Sequence, residues 1–170
     1  MFEHILCPVD GSQTSLAALD VAARLAAEQH SQLTICNVTD PARAAALAFG
    51  DPGMSAACFD ALEGEGKAFL DSAAGRVAET IAATTAELDG APISSIAEYA
   101  KAHGCDLIVM GSHGRSGIGR AVLGSVAEGV MRHARMPVMI VRTQRAGRKA
   151  DAAPESAGLV RENEPVHHGG

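Results

Sequence analysis

Tryptophan is absent from this chain of 170 residues; tyrosine occurs once and phenylalanine four times. Single-stranded nucleic acids are held by stacking bases on aromatic side chains, so a platform of that kind is not expected, nor is an aromatic-lined pocket. Basic residues are also scarce: 14 Lys and Arg against 20 Asp and Glu leave a formal charge of −6. Binding to a phosphate backbone needs clustered cations, and no basic face is visible, so nucleic acid is excluded as a partner. No apolar run approaches the roughly 20 residues that cross a bilayer. The start, MFEHILCPVD, has an early acid and a proline within a short apolar run, which does not fit a signal peptide. The four cysteines, Cys7, Cys36, Cys58 and Cys105, form no Cys-x-x-Cys pair. Cys7 and Cys36 fall inside predicted strands, where they are read as small buried thiols. Together these features point to a reducing, cytoplasmic setting without membrane insertion.

What the chain does have is alternation. Short apolar strands are expected at Ile5–Val9, Leu33–Val38, Ile81–Leu88, Asp106–Met110 and Pro137–Val141. Between them lie helical patterns: Gln13–Gln29, N-capped by Ser12 with apolar residues three and four apart; Ala61–Ala78; a helix started by Pro92 and ending near Gly104; and Ser125–Ala134. The segment Thr39–Asp60, with Pro41, Gly50, Pro52 and Gly53, reads as a long connection, which is usually functional or mobile. From residue 143 to 170, Gly, Pro, Ala and mixed charges occur without periodicity, and a disordered tail is expected there. The reading is one α/β domain over residues 1–142, a parallel sheet with helices on both faces. In such a sheet the ligand sits beyond the carboxyl ends of the strands, where their order reverses.

The stretch with most chemical content is Leu107–Ser125, LIVMGSHGRSGIGRAVLGS. An apolar strand empties into a loop carrying Gly111, Gly114, Gly117, Gly119 and Gly124, after which a helix begins. Glycine permits close approach to the main chain, and helix N-termini attract anions. This is a candidate phosphate site. Neither the GxxxxGK[ST] nor the GxGxxG pattern is present; the spacing is Gly-x2-Gly-x9-Gly-Ser.

That spacing, together with PVDGS at the end of the first strand, resembles the universal stress protein family in its ATP-binding subgroup, over about residues 2–142. The resemblance implies a five-stranded parallel sheet of order 3-2-1-4-5, the adenine nucleotide alpha hydrolase-like arrangement. It implies ATP, with Mg²⁺, as the bound cofactor. Val9, Asp10 and Val38 would lie near the adenine and ribose; Met110, Gly111 and Gly114 would line the ribose and first phosphates; Gly124, Ser125 and Val126 would bind the outer phosphates; and Pro8 and His113 would be lesser members of the same set. It also implies a homodimer through the edge of the fifth strand, and a role in stress response or signalling with a regulatory protein partner that no residue names.

Some of these residues have two readings. Asp10 is either a turn residue or an acceptor for the ribose or for a Mg²⁺-linked water, and it is the one metal-site candidate. Ser125-x-x-Glu128 is also a capping-box pattern, so Ser125 either caps the helix or binds phosphate. His113 is either a loop residue or an acid or base, and Arg115 and Arg120 either neutralise phosphate or are solvated. Catalysed phosphoryl transfer needs a held metal, in-line positioning and usually a base, and near the loop only Asp10 and His113 qualify. The sequence therefore favours an ATP-binding regulatory module, with a slow ATPase or phosphotransferase at the same site as the alternative; no catalytic residue is nominated.

Overall fold

The computed structural model describes residues 1–77, 81–114 and 123–143. Its elements are β1 (His4–Pro8), α1 (Gln13–Gln29), β2 (Gln32–Thr39), α2 (Pro41–Leu47), α3 (Pro52–Ala74), β3 (Ala83–Asp89), α4 (Pro92–Ala102), β4 (Leu107–Gly111), α5 (Ser125–His133) and β5 (Val138–Val141). The strands form one sheet of order β3-β2-β1-β4-β5, and every pairing in it is parallel. The expected order 3-2-1-4-5 is the observed one.

Strand residues alternate between faces, and both faces are covered. Ile5, Cys7 and Val9 of β1 join Leu33, Ile35, Leu107 and Val109 in one buried cluster beneath Leu19 and Ala22 of α1 and Leu70 and Ala73 of α3. Leu6, Cys36, Ile108 and Met110 face the other way, against Ile96 and Ala100 of α4 and Ala127 and Val130 of α5. Cys7 and Cys36 are fully buried, as the sequence suggested. Among the described residues, no helix is long and apolar enough to cross a membrane.

Three local expectations need correction. Thr39–Asp60 is not an irregular connection: α2 occupies its first part, and α3 begins at Pro52, nine residues before the expected Ala61 and ends at Ala74 instead of Ala78. The cause lies in two Asp-Pro pairs. Asp40 and Asp51 cap the helices through bonds from Ala42 N–H and Met54 N–H, both 2.9 Å, and Pro41 and Pro52 occupy the first helical position, where the missing N–H costs nothing. The third strand runs Ala83–Asp89, starting two residues later than expected. At α5 the N-cap is Gly124, with no side-chain capping bond. Ser125 is thus the first helical residue and no capping box forms; Glu128 pairs with Arg132 at 2.7 Å. Gly117, Gly119, Arg115 and Arg120 lie outside the described residues, as does the expected tail from residue 144 onward.

Candidate functional site

The sheet opens between β1 and β4. These strands pair only at Ile5–Leu107 and Leu6–Ile108, whereas β1 stays paired with β2 as far as Pro8–Cys36, and Val9 N–H continues the ladder to Cys36 O at 2.7 Å. Beyond Leu6 the carboxyl ends of β1 and β4 no longer share a ladder, and this is where the strand order reverses. A cavity of about 570 Å³ occupies the gap, within the range of small-molecule and cofactor sites.

All eleven site residues expected from sequence line this one cavity: Pro8, Val9 and Asp10 after β1; Val38 on β2; Met110, Gly111, His113 and Gly114 at the end of β4; Gly124, Ser125 and Val126 at the start of α5. The structure adds walls that the sequence did not mark. Asn37, Thr39 and Asp40 extend the β2 side, Arg43 of α2 and Leu62 of α3 join them, and Pro92 and Ile96 of α4 line the cavity too. The clue to Asp40 was its Asp-Pro pair; nothing in the local sequence marks Arg43 or Leu62, since α2 and α3 bring them there.

Two tight approaches shape the β4 side. A side-chain carbon on Gly111 would lie 2.8 Å from the backbone of Thr14, where β4 passes the start of α1. One on Gly124 would lie 3.1 Å from Ser112 O and 3.3 Å from His113 Cα. The chain before and after residues 115–122 is drawn together by bonds within the described residues. Gly124 N–H donates to Ser112 O at 2.8 Å and Ser112 N–H to Val141 O at 2.9 Å, while the Thr14 hydroxyl donates to His113 O. Asp10 Oδ1 accepts from Ser12 N–H at 3.0 Å. Its Oδ2 faces Gly114 so closely that a side chain there would come within 2.6 Å.

Two features suit an anionic ligand. The first turn of α5 begins at an N-cap without a side-chain acceptor, so the N–H groups of Ser125 and Val126 have no partner within the helix and carry the positive end of its dipole. The Nε2 atom of His113 is buried with no hydrogen-bond partner among the described residues, while Nδ1 lies 3.0 Å from the Ser112 hydroxyl. Cys36, at the cavity floor, has its thiol pushed well up by burial, followed by the nearby Cys7 and Cys105; it is an inert apolar wall and no nucleophile. Among the described residues no group of three or more His, Cys, Asp or Glu is placed to hold a metal ion.

Residues 1–142 match the model of the universal stress protein family. Universal stress protein YxiE of Bacillus subtilis is 34% identical over 148 residues, covering 84% of this chain and all of that protein. Among solved structures, universal stress protein UspA from Lactobacillus plantarum superposes with a TM-score of 0.71 at 29% identity, covering 82% of this chain and 97% of that one. A universal stress protein solved in complex with cAMP gives a TM-score of 0.57 at 29% identity, covering 84% and 98%.

Proposed function

The chain belongs to the universal stress protein family, and from that premise we propose that the cavity between β1 and β4 holds ATP, with Mg²⁺, as the ligand of a regulatory module. The observation that carries this is convergence: eleven residues from four separate stretches of sequence, chosen for a nucleotide, line one cavity of suitable size. The cAMP complex of a relative adds support for an adenine nucleotide as the class of ligand.

The residues fit such a group. Val38 and Val9 offer an apolar wall to the adenine, and Asp10, fixed by its bond to Ser12 N–H, offers an acceptor to the ribose. Ser125 and Val126 would receive the outer phosphates through main-chain N–H groups at the α5 N-terminus, while Gly124, whose own N–H goes to Ser112 O, leaves room for their close approach. His113 Nε2, otherwise unpartnered, gains a partner. Mg²⁺ is commonly held by one or two carboxylates together with substrate phosphates, and Asp10 is the carboxylate that would serve. Bound Mg²⁺ would offset phosphate charge; the protein contributes orientation.

The cavity suits holding better than turnover. Asp10 and Asp40 are its carboxylates among the described residues, and Asp40 is engaged in capping α2. A regulatory module requires that ATP bind two states of the protein with different affinity. We further assign a homodimer through the β5 edge, where Val138–Val141 presents an apolar ladder and Met139 is 37% exposed. A cytoplasmic location agrees with four free thiols.

Mass spectrometry of nucleotide released from freshly purified protein, paired with calorimetry, tests the reading. ATP is the expected species, bound in a Mg²⁺-dependent manner and intact after hours of incubation. Absence of any adenine-nucleotide binding overturns the proposal, and release of γ-phosphate that Asp10→Ala abolishes would replace the holder with an enzyme.

A further inference from the structure

We propose that Arg43 covers the outer face of the bound base, acting as a planar partner at the end of the cavity whose described walls are aliphatic. This rests on the reading that the cavity holds an adenine nucleotide.

The scarcity of aromatics reaches into the site. No Phe, Tyr or Trp is among the lining residues described, and the one aromatic ring there, the imidazole of His113, belongs to the end of β4; a purine ring at the β2 side meets aliphatic walls at Val38, Leu62 and Ile96. Arg43 lines the same region, entering from α2 on the β2 side. The phosphate-binding groups, Gly124 to Val126, belong instead to the stretch after β4. The base end and the phosphate end of the cavity are thus built by different elements, and Arg43 belongs to the first.

The position of Arg43 is unexplained by α2 itself. With Asp40 as N-cap, Arg43 is the third helical residue, at the positive end of the helix dipole, where a cation is disfavoured. It forms no ion pair among the described residues. The nearest acid in sequence, Asp40, directs its Oδ1 to Ala42 N–H at 2.9 Å. Helical side chains lean toward the helix N-terminus, which for Arg43 is toward Thr39 and Asp40, both cavity residues. A guanidinium is planar and weakly hydrated and stacks on π-systems in a way that an ammonium does not. A local rule broken without compensation among the described residues is expected where a side chain serves a functional site.

The test is calorimetry of the full chain, wild type against Arg43→Ala and Arg43→Lys, with ATP, AMP and adenosine as probes and Mg²⁺ present throughout. Arg43 is exposed and alanine is the better helix former, so both variants fold, which circular dichroism checks. Arg43→Ala is expected to weaken all three ligands by the same factor, about 3- to 30-fold, with adenosine as sensitive as ATP. Arg43→Lys is expected to recover little of that loss. Loss confined to ATP and rescued by lysine means that Arg43 pairs with phosphate, which overturns the inference; so does unchanged affinity for all three. If the wild type binds ATP normally, the nucleotide reading stands in either case. If the wild type binds none of the three, that reading fails first and this one with it.

Discussion

Two glycines on α3, two positions apart and so on opposite faces of the helix, are expected to respond to the same substitution with opposite sign. Gly64 is exposed, and a side-chain carbon there meets nothing within 4 Å. Gly64→Ala therefore takes the helix-propensity gain and stabilises by about 0.5–1 kcal/mol. Gly66 is buried, and a carbon built on it falls on the Asn37 amide oxygen, with Asn37 Cγ at 3.1 Å. Asn37 cannot simply yield. Its Nδ2 donates to Val9 O at 2.6 Å in the interior, fixing the end of β1 where it borders the cavity. Moving the amide leaves a buried carbonyl unpaired, a cost of about 1–3 kcal/mol, and keeping it in place compresses the α3–β2 contact at a similar cost of about 1–3 kcal/mol. After the propensity gain is set against this, Gly66→Ala is expected to destabilise by about 1–2 kcal/mol, a fall in Tm of roughly 2–8 °C for a chain of this size. Urea unfolding followed by far-ultraviolet circular dichroism measures both variants, with the slope of the transition unchanged. ATP affinity gives a second readout: it should fall for Gly66→Ala, because Val9 shifts, and hold for Gly64→Ala. Equal or greater resistance to urea for Gly66→Ala than for Gly64→Ala would refute the reasoning.

Asp10→Ala should weaken ATP binding in Mg²⁺ by about 10- to 100-fold, the range for losing a charged hydrogen-bonding group, with a smaller effect once Mg²⁺ is chelated; identical Mg²⁺ dependence in variant and wild type would remove Asp10 from the metal site. Met139→Lys places a charge on the β5 edge, a feature that blocks strand pairing, and sedimentation should change from dimer to monomer; a wild-type chain ended after Arg142 that is already monomeric at micromolar concentration refutes the β5 interface. At pH 8 a thiol reagent should label the half-buried Cys58 and spare the native chain's other cysteines. Burial pushes the Cys105 thiol up to about 11, so the thiolate there is scarce at pH 8 and labelling at Cys105 should climb only as the pH approaches that value; rapid modification of Cys105 at pH 8 would contradict its buried placement.

The alternation of strands and helices was legible because short apolar runs are bounded by turn residues. The strand order 3-2-1-4-5 and the site residues were implied instead by the resemblance that PVDGS and the Gly-x2-Gly-x9-Gly-Ser spacing carry, and the structure has that order and gathers those residues at one cavity. What was hidden depended on one residue type serving two purposes. Proline and glycine between Thr39 and Asp60 read as a loop, yet Pro41 and Pro52 each follow an aspartate and start helices. Ser125 and Glu128 have capping-box spacing, but Gly124 takes the cap, and Glu128 finds Arg132 one turn away. Asn37 is a polar residue in an apolar strand whose task, holding Val9 O, exists only once α3 supplies a glycine opposite it. Arg43 is similar: its helix could not be read, so neither could its position at the cavity.

The same bonds that bring the site together also leave it incomplete. The donors nearest the end of β4 are committed to protein acceptors, Ser112 N–H to Val141 O and Gly124 N–H to Ser112 O, and the Thr14 hydroxyl holds His113 O. With both sides of the loop fixed in this way, the α5 N-terminus keeps its place without a side-chain cap, and His113 Nε2 is buried without a partner among the described residues. An unmet buried polar atom costs about 1–3 kcal/mol, and the N–H groups at the helix start, which have no partner within the helix, add to the local polarity. A ligand that meets these groups binds the folded state alone and stabilises it by mass action, by about 2.7 kcal/mol at a hundred times its dissociation constant. Occupancy by such a ligand would therefore stabilise the β4–α5 region, and this linkage is what the proposed nucleotide-dependent module would use.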